Sequence, residues 1–200
     1  IMSNLTIPKQ NFFRNASFGL EENTETFTSP ISNTIQTIAR TGGRWYLTIN
    51  YVPMTREDAS EVLAFLTGLR GRVNSLFGFD PLGTQPRGNM SGSTLVVNGA
   101  SQTGTSLICD GASNSTLILK AGDYFQIGSE LKMITSDVTS DGSGNATLNF
   151  SPSLRSSPSD DASIITSNPK CIMKLTDDNT TWNESTNSFY QISFSAIEVF

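Results

Sequence analysis

The chain has 200 residues, enough for one large or two small units whose interior needs neither a metal nor a disulfide. Hydrophobic residues make up 36% and charged residues 16%, and abundant Ser, Thr, Asn and Gly suit strands and turns better than helices. A net charge of -5 offers no basic surface for a phosphate backbone, and the absence of histidine removes the Ser-His-Asp triad and His-based metal sites.

Polar Ser3, Asn4, Lys9 and Gln10 do not form the apolar core of a signal peptide, and no run approaches the ~20 apolar residues of a membrane helix. The expected product is made in the cytoplasm and does not insert into a membrane. Residues 34–38 and 44–52 cluster β-branched and aromatic side chains around Thr41-Gly42-Gly43, which predicts a hairpin turning at those glycines. In the second run Trp45, Leu47, Ile49 and Tyr51 share one face at period two and are expected in the core; Tyr46, Thr48, Asn50 and Val52 take the other.

Pro53-Met54 ends that strand, and Thr55-Arg56-Glu57-Asp58 starts a helix over about 55–70, with the Thr55 hydroxyl placed to cap a free amide. Ala59, Val62, Leu63, Leu66 and Leu69 form its apolar stripe, and Gly71 supplies a left-handed stop. A strand over 72–79 leads into a Pro/Gly-rich boundary at 80–88. Short β-like runs then follow at 94–97, 106–109, 116–119, 124–127, 130–136, 146–150 and 163–166, the spacing of a compact barrel or sandwich. Longer strands return at 170–176 and 189–200, where Ile192, Phe194, Ala196, Ile197 and Val199 suit pairing back into the first sheet. The predicted fold is mainly β: a β-barrel or sandwich with one flanking α-helix over 1–87 and 169–200, and a small inserted all-β unit at 88–168.

Candidate chemistry is sparse. Asp123 reads as a turn residue bonding local amides, and 137–145 as a hairpin loop lacking the alternate acids and terminal Glu of a calcium loop. Asp160-Asp161, Asp177-Asp178 and Glu184 offer carboxylates of the kind glycoside hydrolysis needs, but adjacent acids on turns are usually solvated. Gly68-Leu69-Arg70-Gly71-Arg72 lacks the strand-to-helix order of a phosphate loop. Cys109 and Cys171, 62 positions apart (171 − 109), read as buried free thiols. No catalytic, cofactor-binding or metal-ligating residue is assigned. Arg56, Arg70 and Arg72 lie beside the helix and read first as solvated surface cations, with pairing to acids on a neighbouring subunit as the alternative; Trp45, Tyr46, Phe189 and Tyr190 are candidate core or interface anchors.

The run Trp45-Tyr46-Leu47-Thr48-Ile49-Asn50-Tyr51-Val52-Pro53-Met54-Thr55-Arg56-Glu57-Asp58-Ala59 continues through Leu63-Ala64-Phe65-Leu66 and Leu69-Arg70-Gly71-Arg72 to Phe77-Gly78-Phe79-Asp80-Pro81. It resembles a strand, helix, strand unit of distal tail and related minor tail proteins of long-tailed bacteriophages. Residues 119–128, 141–148 and 150–155 are similar to a small β module recurring in phage virion proteins. The resemblance implies a non-enzymatic structural subunit of the virion tail, without a cofactor, whose copies close into a homo-oligomeric ring, a hexamer. The ring would continue the tail channel, joining the tail tube protein to the hub or tip proteins of the baseplate, with DNA passing through without sequence-specific contact. Residues 18–30, with Glu21, Glu22 and Glu25, are then a candidate hairpin arm or loop facing a neighbour or an acidic channel. The alternative is a receptor- or glycan-binding β module of the virion, since small β-sandwiches carry such sites on loops.

Overall fold

Alternating apolar side chains and one amphipathic stripe set the layout, which the computed structural model describes for residues 4–184 and 189–200, leaving Ser3 outside. The chain begins with β1 (Asn4–Leu5), β2 (Phe13–Thr28) and β3 (Ile35–Tyr51), then α1 (Arg56–Leu69) and β4 (Ser75–Gly78). Eight short strands follow: β5 (Val96–Val97), β6 (Ser106–Asp110), β7 (Leu117–Leu119), β8 (Tyr124–Ile127), β9 (Glu130–Ile134), β10 (Val138–Thr139), β11 (Ala146–Ser151) and β12 (Ile164–Ile165). It ends with β13 (Cys171–Leu175), β14 (Trp182–Glu184) and β15 (Tyr190–Glu198). The fold is mainly β with one α-helix among the described residues, as the composition predicts.

The first and last groups of strands form one sheet in the order β1-β4-β13-β15-β3-β2, with β14 paired to the start of β15. β15 therefore returns to the first sheet, Ser193 to Ile197 facing Asn50 to Tyr46. Trp45, Leu47, Ile49 and Tyr51 point to one face, joined by Leu76, Met173, Ile192, Phe194 and Ala196. Against this face α1 buries Ala59, Val62, Phe65, Leu66 and Leu69; Leu63, at the stripe's margin, is half-buried. Thr55 is the N-cap, but its hydroxyl donates to Asp58 Oδ2 at 3.2 Å and makes no bond to a helix amide. The carboxylate, held in turn by Lys9 at 3.0 Å, is the stronger partner. At the other end Arg70 itself adopts left-handed φ (52°) ahead of Gly71 (64°), so two residues share the stop.

The hairpin predicted at Thr41-Gly42-Gly43 turns elsewhere. β2 and β3 pair from Phe13↔Tyr51 to Thr28↔Ile35, and the reversal falls at 29–34. There Ser29 N donates to Thr34 O at 2.9 Å and Asn33 takes φ 52°. Gly42 and Gly43 instead lie inside β3 at a bulge: Glu21 faces Arg44 and Asn23 faces Arg40, which leaves Glu22 opposite three residues. Gly42, at φ 116°, absorbs the irregularity that a side chain would resist.

Between β4 and β13 the strands pair only among themselves, in the order β12-β8-β9-β11-β6-β5, with β7 and β10 as a separate ribbon. The two ends of this sheet meet: Val97 N donates to Ala162 O and Ile164 N to Leu95 O, each at 3.0 Å, so the sheet closes into a small barrel. Its interior holds Val97, Leu107, Cys109, Phe125, Leu148 and Phe150, with the Phe125 and Phe150 rings edge to face at 5.2 Å.

Truncating the centre of the helical stripe tests this layering. Leu66, 1% exposed, is expected to cost roughly 2–5 kcal/mol on Leu66→Ala, read from the urea midpoint. An unchanged midpoint would place α1 away from the sheet.

Candidate functional site

Beyond the bulge, β2 and β3 continue as a two-stranded ribbon, from Asn23↔Arg40 to Thr28↔Ile35, projecting on the order of 20 Å at ~3.4 Å per residue. Residues 21–28 and 30–41 are all exposed. Cross-strand register sorts them into two faces. One, formed by Thr24, Thr26, Thr28, Ile35, Thr37 and Ala39, carries no charge; the other holds Asn23, Glu25, Phe27, Gln36, Ile38 and Arg40. Phe27 (65% exposed), Ile35 (68%), Ile38 (60%) and Ile31 at the turn (96%) leave apolar surface on both faces and the tip. A lone hairpin is marginal in water, and its open edges and exposed apolar side chains invite pairing. Glu25 pairs with Arg40 and Glu21 lies opposite Arg44, so the arm as a whole is close to neutral and not acidic.

At the arm's root the sheet meets the barrel. Arg155, just past β11, binds Glu198 of β15 through two bonds, Nη1 to Oε1 at 2.9 Å and Nη2 to Oε2 at 2.7 Å. The same Nη2 donates to Gly43 O at 2.6 Å, and Glu198 Oε2 accepts from Trp45 N at 3.2 Å. The Trp45 indole, stacked on Phe18, donates across the junction to Leu131 O at 2.7 Å. Beside this pair, Lys132 Nζ sits 2.7 Å from Glu130 and 2.7 Å from Ser153 O. Glu130 also accepts from the amides of Arg155 and Ser156. Burial pushes the Glu130 carboxyl up, but the Lys132 ammonium and these amides outweigh it and hold it below its ordinary range. For Arg155 the order is the same: burial works against the charge, and Glu198 more than restores it. The network sets two acids against two cations, although at Lys132, wholly buried, burial outweighs Glu130 and pushes the ammonium pKa down.

The seven residues named as interface candidates fall in separate places. Trp45 is 2% exposed and belongs to the junction inside the chain, whereas Tyr46, on the opposite face, is 37% exposed. Arg56 and Arg70 stand at opposite ends of α1, about 20 Å apart at 1.5 Å per residue, so the arginines form no single patch. Arg72 N and side chain meet Asp178. Phe189 is exposed, and half-buried Tyr190 lies beside Met54, with which it exchanges backbone bonds at 2.9 and 3.1 Å. The arm's apolar residues were not among the candidates. Their signal is the Ser29-Pro30-Ile31-Ser32-Asn33 turn composition, which marks a reversal ten residues before the glycines.

The remaining candidates lie apart from one another. Asp123, 3% exposed, accepts from the amides of Lys120 and Arg87 and from the Arg87 guanidinium. Asp141 accepts from Ser143 N and Asn145 N, closing its hairpin loop. Asp160 accepts from Gly99 N in the barrel and Asp178 from Arg72 N near the helix, so the paired acids lie in different parts of the fold. Both cysteines are free and buried; burial, then Asp110, pushes the Cys109 thiol up to about 12. A hollow of about 410 Å³ is lined by the hydrogen-bonding side chains of Arg14, Asn15, Asn50, Gln191 and Ser193, with Tyr51 beside them. Among the described residues no group of three or more acids and cysteines is placed to hold a metal, and no helix is long and apolar enough to cross a membrane.

The junction makes stability depend on acid. Because the folded Glu130 pKa lies below the ordinary 4.5, its contribution is complete above that pH and is lost as pH falls through the folded value. Glu130→Gln, which strands Lys132, is expected to cost about 3 kcal/mol at pH 7 and to flatten the fall in stability below pH 4.5. Urea midpoints across the pH range measure both, and an acid limb as steep as the parent's would exclude Glu130 as its source. No family model matches the chain, and no curated protein was found to match it.

Proposed function

We propose that the chain is a structural subunit of a bacteriophage tail, one copy in a ring at the distal end that continues the tail channel and joins tube to tip or baseplate. The observation that carries this reading is the arm: a two-stranded ribbon, exposed on both faces, with Phe27, Ile31, Ile35 and Ile38 uncovered. A closed ring needs head-to-tail contacts, in which one surface of each subunit reaches forward and a different one receives. The arm leaves its own core and suits the forward role. The resemblance of the strand, helix, strand run to distal tail proteins supplies the tail assignment and, with it, six copies about the axis.

In this reading the partners are neighbouring copies, the tail tube protein on one side and hub or tip proteins on the other. DNA passes through the channel without sequence-specific contact. The subunit is made in the host cytoplasm and resides in the virion tail, and its work is mechanical, with no substrate turned over.

Electron microscopy of intact particles tests the proposal, with six copies on the tail axis as the expected result. A single off-axis copy, or none, overturns it. The arm is tested separately by combining Phe27→Asp with Ile35→Asp, one on each face. Stability is expected to stay within about 0.5 kcal/mol, as for exposed sites, while incorporation into particles drops at least tenfold. Undiminished incorporation would remove the arm from the subunit contact.

A further inference from the structure

The bulge at the arm's root is supported from two sides, by the sheet that contains it and by the barrel. β3 loses β15 as a ladder partner beyond Tyr46↔Ile197, and between Glu21↔Arg44 and Asn23↔Arg40 it carries two more residues than β2. Main-chain groups freed in this way need other partners. Trp45 N finds Glu198, Gly43 O finds the Arg155 guanidinium, and Thr41 O accepts from Asn23 Nδ2 at 3.2 Å. On the other strand, Glu22 Oε1 accepts from the Ser151 hydroxyl at 2.9 Å. The backbone also passes close to the barrel: a Cβ on Gly43 would lie 2.9 Å from Glu22 Oε2 and 3.3 Å from Pro152 Cβ.

We infer that the barrel sets the direction of the arm. Ser151, Pro152 and Arg155, at the end of β11 and just beyond it, form a seat for the bulge and are positioning residues for the ribbon. A bulge bends its strand and, left unsupported, is the place where a two-stranded ribbon swings. Held on both strands, by Ser151 through Glu22 and by Arg155 through Gly43, it fixes one angle. Displacement of the barrel is then passed to the arm root over two hydrogen bonds. The inference concerns the single chain and stands apart from the tail reading.

Distances between spin labels on Ile31→Cys at the tip and Ser60→Cys on α1 test it; Cys109 and Cys171 are buried and stay unlabelled. The parent is expected to give one narrow distance distribution. Glu22→Ala combined with Ser151→Ala, the first exposed and the second half-buried, is expected to shift it or to broaden it at least twofold. A second variant, Arg155→Met with Glu198→Gln, removes cation and anion together and is expected to do the same. A change in either variant supports the seat. A parent distribution already as broad, or no change in the first variant and in whatever folded protein the second yields, overturns it. Loss of ring incorporation with a fixed arm angle would count against the tail reading and not against the seat.

Discussion

The Arg155–Glu198 ion pair is the constraint around which the parts of this molecule are arranged. Its side chains are 14% and 1% exposed, and neither charge can be left in that place without the other. Glu198 continues the inward row of Ile192, Phe194 and Ala196 on β15, so an acid occupies a position that alternation reserves for an apolar side chain. Folding can satisfy it only by bringing the segment after β11 against the end of β15. That approach places Leu131 over the Trp45 indole and the Arg155 guanidinium against Gly43. One pair of charges thereby fixes the junction between sheet and barrel, and Phe200, whose ring lies 3.9 Å from the same guanidinium, covers it.

Much of the layout is legible in the sequence because it rests on local period. Trp45, Leu47, Ile49 and Tyr51 announce an inward face by alternation, and Ala59, Val62, Leu66 and Leu69 announce a helix by three- and four-residue steps. What is not legible depends on pairs far apart in the chain. Nothing near Trp45 indicates that its indole will meet a carbonyl 86 residues away. Gly42-Gly43 looks like a turn in isolation, and only the register of β2 against β3 makes it a bulge. β10 and β14, of two and three residues, are too short to carry a period. For the arm, Phe27 and Ile35 straddle a turn, so their shared exposure is a property of the ribbon and not of either strand.

The barrel enters and leaves the sheet at a single point. β4 and β13 are antiparallel neighbours with Gly78 opposite Cys171, and the two connections are tied together by Asn168 N on Thr84 O at 2.6 Å. The barrel thus stands where a hairpin turn would otherwise be. Over evolutionary time such a placement lets one folded unit be exchanged for another, or lost, while the sheet keeps its register. The exchange is not free of conditions: a replacement must bring a cation to Glu198 and an acceptor to the Trp45 indole, or those two residues must change with it. Descendants of this architecture should therefore vary their inserted unit in step with two positions on the sheet, and vary it independently of the rest.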